Sequence, residues 1–294
     1  MSIGSVPRAC VIGHPIAHSR SPLIHGHWLA ELGIAGAYEK RDVPPEAFPD
    51  FLTHLRAHGY VGANVTVPHK QMAHHLIERR DAAAEAVGAV NTVWYEGDML
   101  CGGNSDVHGF IANLDHEAPG WDVPDARAVV LGAGGAARAA AFALATRGIA
   151  VAVVNRTEAR ARELADDLGR GISAHAMSEL PQLLADAHLL TNCTSLGMVH
   201  EPPLAIDLGP LKATAVVCDA VYVPLETELL TDAAARGHRV VDGLGMLLQQ
   251  AGYGFRKWFG ATPRVTPELR ALVVADLHAG ASTTSAIAAR RPNR

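Results

Sequence analysis

The sequence predicts an α/β protein of two domains, and three observations carry that expectation. Short apolar stretches that suit strands alternate with helical segments along the chain, the pattern of a mostly parallel sheet. The 294 residues exceed the length at which a single core keeps growing. About halfway along, the glycine-rich turn Gly132-Ala133-Gly134-Gly135-Ala136 joins an apolar strand to an alanine-rich helix, so a second unit begins near there.

Ala9–Ile12 reads as a short buried strand and Gly13–Arg20 as a loop. Ser21 is placed to cap a helix, Pro22 to take its first position and Gly33 to end it. A strand near Ala37–Val43 follows, then a helix ending before Gly59. Gly62–Val67 alternates as a strand does. Pro68 has no N–H for a ladder and suits the first position of a helix running on through Ile77, which places Lys70 in that helix's first turn. A cation there opposes the helix dipole, at a cost of about 0.3–1 kcal/mol when exposed. Lys70 therefore reads either as a tolerated surface lysine or as the reactive group of a small-molecule site beside Asn64 and Thr66. A short helix near Asp81–Val87 comes next. Asn91–Tyr95 and Met99–Cys101 then flank Glu96-Gly97-Asp98 as a hairpin. This first region is a small α/β domain that can carry an antiparallel edge.

Asp106–Leu114 reads as a helix and Pro119–Pro124 as a loop. Ala128–Leu131 runs into Gly132, the following helix ends near Gly148, and Ile149–Val154 is the next strand. This is the G-x-G-x-x-A variant of the dinucleotide fingerprint in its required strand–turn–helix setting. Its glycines let backbone amides approach a pyrophosphate, and the helix N-terminus favours that charge. An NAD site usually carries an acid at the tip of the second strand. Here Asn155-Arg156-Thr157-Glu158-Ala159-Arg160 puts its acid, Glu158, inside the next helix. Arg156 and Arg160 can hold a 2′-phosphate, with hydrogen bonds from Asn155 and Thr157, which favours NADP over NAD. The plainer alternative is a Thr157 helix cap beside solvated arginines. The remaining expectations are strand His188–Asn192, loop Cys193–Met198, strand Ala215–Cys218, helix Glu226–Arg236 and strand Arg239–Asp242. A helix opened by Gly243-Leu244-Gly245-Met246 runs through Phe259, a last helix spans Pro267–Ala279, and the tail from Ser282 reads as disordered.

Composition narrows the function. Hydrophobic residues make 49% and charged residues 19%, an ordinary globular profile. The net charge of −5, with no basic run before the last few residues, gives no footprint for nucleic acid. No apolar run is long enough to span a bilayer, and the N-terminus lacks the regions of a signal peptide, so a cytoplasmic location is expected. Cys10, Cys101, Cys193 and Cys218 lie in or beside apolar stretches without C-x-x-C spacing and read as reduced thiols. Sixteen histidines show no convergent set with an acidic partner, so no metal is expected.

Polar residues gather at element ends: Ser19 and Ser21; Asn64, Thr66 and Lys70; Asn91 and Thr92; Asn104, Ser105 and Asp106. They stand within the segments HSRSPLIH (18–25), GANVTVPHK (62–70), GAVNTV (88–93) and GGNSDVHG (102–109). Further segments are GAGGAARA (132–139), NRTEARA (155–161), NCTSLGM (192–198), DAVYVPLETELL (219–230) and DGLGMLLQQA (242–251). With these segments, in this order, the chain resembles the shikimate dehydrogenase family from about residue 10 to about residue 275.

The resemblance implies a substrate-binding catalytic domain over 1–106, completed by about 248–281, and a Rossmann NADP-binding domain over 107–247. The terminal helices would pack back on the first domain, and 282–294 would be the disordered tail. It implies reversible reduction of 3-dehydroshikimate to shikimate by NADPH, in aromatic amino-acid biosynthesis, with a small-molecule substrate as partner and a monomer or homodimer as the working form. Carried over residue by residue, Ser19 and Ser21 would bind the substrate carboxylate, with Tyr222 near it. Ser21 would serve as a helix cap in any case. Thr66, Asn91, Asp106 and Gln250 would bind ring hydroxyls, with Gln249 the other candidate if the register slips. Lys70 and Asp106 match the catalytic pair. Hydride addition to a ketone builds negative charge on oxygen, which an ammonium can meet with a proton. Asp106 also suits a helix N-terminus on its own account. The cofactor would lie on Gly132, Ala133, Gly134, Gly135, Ala136, Asn155, Arg156, Thr157, Arg160, Thr194, Ser195, Ala220, Gly243 and Met246. One departure stands out: the family's usual GxNTD is Gly103-Asn104-Ser105-Asp106 here, which keeps the hydroxyl and loses a methyl. Some relatives accept quinate or use NAD. A non-catalytic homologue would be expected to have lost Lys70 or Asp106.

Overall fold

The computed structural model describes residues 6–169 and 171–288. Its first half comprises β1 (Arg8–Gly13), α1 (Ser21–Glu31), β2 (Ala37–Asp42), α2 (Phe48–Thr53), β3 (Gly62–Val65), α3 (Lys70–Leu76), β4 (Arg79–Arg80), α4 (Ala82–Val87), β5 (Thr92–Glu96) and β6 (Met99–Gly103). These strands form one sheet in the order β2-β1-β3-β5-β6-β4. β1 pairs in parallel with β2 and β3, β5 runs antiparallel to β3 and β6, and β4 is parallel to β6.

α5 (Ser105–Glu117) leads into the second half, which holds β7 (Arg127–Leu131), α6 (Gly135–Thr146), β8 (Ala150–Val154), α7 (Glu158–Leu168), β9 (Ile172–His175), α8 (Leu180–Asp186) and β10 (Leu189–Asn192). β11 (Val216–Asp219), α9 (Glu228–Ala235), β12 (Arg239–Val241), α10 (Gly243–Phe259) and α11 (Pro267–Ala288) complete it. Its sheet runs β12-β11-β10-β7-β8-β9, and every pair is parallel. The apolar runs of β7 and β8 suit strands covered on both faces. Strand order reverses between β7 and β10, which opens a crevice at the carboxyl ends of the strands.

Two helices cross between the halves. Asn104 caps α5 by accepting from Asp106 N (3.1 Å), and Asp242 caps α10 by accepting from Leu244 N (3.0 Å) and Gly245 N (3.3 Å). α5 and α10 pack closely because glycines face the contact. A Cβ at Gly245 would fall 1.8 Å from Asn113 Oδ1, and one at Gly109 2.6 Å from Gln250 Cβ. α10 and α11 then return to the first sheet. Ile24 and Trp28 of α1 share a core with Leu248, Phe255, Leu269 and Val273, all fully buried. Each such side chain contributes about 1.5–3 kcal/mol by leaving water. Trp258 Nε1 donates to Val93 O (2.8 Å), over Gly62, the residue that leaves room for the indole.

Several elements depart from the sequence expectation. β3 stops at Val65 and α3 begins at Lys70, because residues 66–69 form a turn in which the Val67–Pro68 peptide is cis. Pro68 is therefore not the first helical residue, although Lys70 does sit in the first turn. Ser21 is the first residue of α1, whose N-cap is Arg20 with no side-chain cap bond. The tail expected from Ser282 continues α11 as far as Ala288, and 289–294 lie outside the described residues. β4, β9 and α8 had no counterpart in the sequence reading. Among the described residues, no helix is long and apolar enough to cross a membrane.

Candidate active site

A cleft of about 630 Å³ separates the two sheets. One wall is the carboxyl end of the first sheet with the start of α1. The other is the start of α6 and the crest after β11, and α10 closes the floor. Lys70 and Asp106, 36 positions apart, meet here: Lys70 Nζ donates to Asp106 Oδ2 at 2.7 Å. Each side chain is placed by its helix start. Lys70 opens α3, and its carbonyl accepts from Val90 N (3.0 Å). Asp106 lies in the first turn of α5, held by the Asn104 cap, whose own amide donates to Ala89 O (2.9 Å). The Lys70 and Asp106 side chains are 30% and 17% exposed, so the pair is shielded yet reachable from the cleft.

Behind the pair, a hydrogen-bonded chain runs under the first-sheet wall. The Tyr38 hydroxyl donates to Asn64 Oδ1 (2.6 Å), and Asn64 Nδ2 donates to the Thr92 hydroxyl (3.1 Å). Thr92 Oγ1 lies 3.0 Å from Asn91 Oδ1 and 3.2 Å from Ser105 Oγ. Ser105 donates its backbone N–H to Asn91 Oδ1 (2.7 Å), and its hydroxyl reaches Gln250 Oε1 (2.8 Å). A hydroxyl has one proton to give. Thr92 donating to Asn91, and Ser105 to Gln250, gives each hydroxyl proton an acceptor and holds the Asn91 and Gln250 side-chain oxygens, both residues being on the cleft lining. His25 stacks on Tyr38 with ring centroids 4.0 Å apart, and complete burial holds its pKa down to about 3. Burial likewise drives the Tyr38 hydroxyl well above its ordinary range.

Ser19 and Ser21 stand at the start of α1, where Ser21 N donates to Ser19 Oγ (3.3 Å). Arg20, between them, turns away to α11: its Nε donates to Asp276 Oδ2 at 3.0 Å. Tyr222 faces this end of the cleft, and burial raises its pKa.

On the second wall, Gly132 (φ +106°) lies so close to β10 that a Cβ would sit 3.1 Å from Cys193 O. That backbone needs glycine on both counts. A Cβ at Gly134 or Gly135 would meet nothing within 4 Å, so the start of the twelve-residue α6 presents open backbone to the crevice. At the tip of β8, Asn155 Nδ2 donates to Thr157 O (2.8 Å), while Arg156, Thr157 and Arg160 are exposed. The Thr157 side chain caps no amide of α7. Open amides at a helix start and two exposed guanidinium groups beside them fit a dinucleotide that carries an extra phosphate.

Two family models match the chain. "Shikimate dehydrogenase substrate binding domain" covers residues 11–93 and "Shikimate / quinate 5-dehydrogenase" covers residues 115–199. The Mesorhizobium japonicum protein named shikimate dehydrogenase (NADP(+)) is 57% identical over 94% of this chain and 98% of its own length. The chain belongs to the shikimate dehydrogenase family. A Rhodopseudomonas palustris member of the same name is 58% identical over 92% of this chain and 96% of its own. Among solved structures, Thermus thermophilus shikimate 5-dehydrogenase in complex with NADP(H) and shikimate is similar at TM-score 0.78. It is 38% identical and covers 88% of this chain and 95% of that one. Corynebacterium glutamicum quinate dehydrogenase in complex with NAD has TM-score 0.84 at 30% identity, covering 92% of this chain and 99% of that one. The backbone is thus shared with a quinate dehydrogenase as well as with a shikimate dehydrogenase.

The structure brings Ser19, Ser21, Thr66, Lys70, Asn91, Asp106, Tyr222 and Gln250 to one cleft, with Gly135, Ala136, Ala220, Gly243 and Met246 on its lining. Gln249 is not on that lining. Gly132, Ala133, Gly134, Asn155, Arg156, Thr157, Thr194 and Ser195 lie outside it, on the turns after β7, β8 and β10, as does Arg160 in the first turn of α7. Four members of the network, Tyr38, Asn64, Thr92 and Ser105, had no ligand role assigned from sequence. Asn64, Thr92 and Ser105 already stood among the polar clusters at element ends, which was the signal available for them. Tyr38, on an edge strand among charged neighbours, offered no local signal.

Proposed function

We propose that this chain catalyses the reversible reduction of 3-dehydroshikimate to shikimate with NADPH, in the cytoplasm, on a substrate domain over 1–106 completed by 248–281 and a cofactor domain over 107–247. The observation that carries the reading is the Lys70–Asp106 pair at 2.7 Å in the cleft facing the glycine turn, in a chain whose relatives are named shikimate dehydrogenase (NADP(+)). When bound, NADPH supplies the hydride. Ser19 and Ser21 hold the substrate carboxylate through hydroxyls. Asn91, Thr66 and Gln250 hold ring hydroxyls, and Asp106 accepts from both Lys70 and a substrate hydroxyl. As hydride reaches the carbonyl carbon, the Lys70 ammonium donates a proton to the oxygen, so ketone, hydride and proton become an alcohol. Lys70 is then a neutral amine and regains its proton from solvent. In the oxidative direction that amine takes the hydroxyl proton. Every group in this scheme comes from one chain, so a monomer and a homodimer are expected to turn over alike.

The test is absorbance at the nicotinamide band with the purified chain and shikimate or quinate, each with NADP⁺ or NAD⁺. Shikimate with NADP⁺ is expected to be the fastest pair by at least about tenfold in kcat/KM, the effect of one charged contact. Absence of any spectral change overturns the reading, and faster quinate turnover with NAD⁺ replaces it with a quinate dehydrogenase.

A further inference from the structure

The second sheet contains a buried carboxylate that the scheme above does not use. Asp219, the last residue of β11, is 0% exposed, and none of the ion pairs among the described residues involves it. It accepts three hydrogen bonds. Asn192 Nδ2 (2.9 Å) and Val221 N (3.0 Å) donate to Oδ1, and the Thr227 hydroxyl (2.8 Å) donates to Oδ2. Burial raises the Asp219 pKa while these donors pull it back. A buried carboxylate without a cation is costly to keep, so its three partners show what it holds.

Asn192 is its direct neighbour across the ladder. Through Oδ1, Asn192 accepts from Thr194 N (3.0 Å) and Thr194 Oγ1 (2.7 Å), and through Nδ2 it also donates to Leu196 O (3.1 Å). That fixes the loop after β10. Val221 lies between Ala220 and Tyr222, both on the cleft lining, and Thr227 caps α9 by accepting from Leu230 N (3.3 Å). One side chain therefore ties together the loop after β10 and the loop after β11.

We propose that Asp219 is a positioning residue: it sets Thr194, Ala220 and Tyr222 at the height from which they meet the nicotinamide end of the cofactor and the substrate beside it. This rests on the reading that the chain is a shikimate dehydrogenase, and it adds a residue that touches neither ligand. Displacements of about 1 Å at reacting groups cost about a hundredfold in rate.

The experiment compares the full native chain with Asp219→Ala and Asp219→Asn. Three quantities are measured: KM for NADP⁺ and for shikimate, kcat, and inhibition by adenosine 2′,5′-bisphosphate, which engages only the far end of the cofactor site. Asn can keep Oδ1 facing Asn192 and Val221 while the Thr227 hydroxyl rotates to accept from its amide. Asp219→Ala is expected to raise both KM values at least tenfold, with the inhibitor's Ki within twofold of native and with Asp219→Asn restoring both KM values to within about threefold. If Asp219→Ala does not fold, Thr227→Val, which removes one donor to Asp219 together with the α9 cap, is expected to raise both KM values two- to fivefold with the same unchanged Ki. KM values within twofold of native in a folded Asp219→Ala, or in Thr227→Val where that variant stands in, overturn the proposal. So does a Ki that rises in step with them, since that marks general disruption of the domain. An inactive native chain fails the functional reading instead, so the two failures are distinguishable.

Discussion

The first-sheet wall of the cleft ends in side chains that hydrogen-bond one another out of solvent, whereas the second-sheet wall ends in backbone turns and exposed arginines. Tyr38, Asn64, Thr92, Asn91, Ser105 and Gln250 form one continuous chain of polar contacts. Arg156 and Arg160, by contrast, stand exposed beside a turn of glycine and alanine. The difference follows from the ligands each wall suits. A small ring carrying several hydroxyls and one carboxylate is told apart by fixed donors and acceptors at set distances. A diphosphate with a further phosphate is held by charge and open amides, which tolerate looser geometry. Substitutions on the first wall should therefore act steeply and together, and those on the second modestly and with a dependence on salt.

The largest expected effect is at the head of the first wall. Lys70→Ala should lower kcat by about 10²–10⁴, the range for lost acid–base chemistry, with an unchanged circular dichroism spectrum; steady-state kinetics check it. Next comes the network behind it. Ser105→Ala removes the hydroxyl that anchors Gln250, and the unpaired groups should cost about 1–3 kcal/mol of transition-state binding. That is about 5- to 150-fold in kcat/KM for shikimate, with the KM for NADP⁺ unchanged. If both ligands lose equally, the walls are not separable in the way described.

Acid should weaken the same wall. Burial depresses the folded-state pKa of His25 from 6.5 to about 3, so the unfolded chain binds the extra proton between those values. Stability is then complete above pH 6.5 and falls as pH drops through that window, by about 2 kcal/mol between pH 7 and pH 5. Urea midpoints at the two pH values measure it, and His25→Phe should remove that part of the slope. The smallest effect belongs to the second wall. Arg156→Ala should reduce the preference for NADPH over NADH about fivefold in kcat/KM, and by less at high salt, as befits an exposed charge. A loss above a hundredfold would show that this wall is as preorganised as the first.

What could be read in advance also divides along this line. The second wall is a local motif: strand, glycine turn and helix follow each other in the chain, so Gly132–Ala136 announces its own geometry. The first wall is tertiary. Its members come from β2, β3, the start of β5 with the residue before it, α5 and α10, and Tyr38 on an edge strand carries no local sign that it reaches Asn64. Family likeness, not periodicity, paired Lys70 with Asp106. Pro68 was misplaced for a physical reason, since proline is equally at home in a turn as at the first position of a helix. The end of α11 was misjudged because small residues such as Ala281 and Ala286 fit both a tail and a helix.

The most direct test of the central claim, that Lys70 and Asp106 act as one proton-handling unit, is a double-mutant cycle on kcat for shikimate oxidation with Lys70→Ala, Asp106→Asn and the double variant. If the two residues work through their 2.7 Å contact, the double variant should be no slower than Lys70→Ala within about threefold, the mark of residues that act as a unit. Losses that multiply, or near-native turnover in Lys70→Ala, would contradict it.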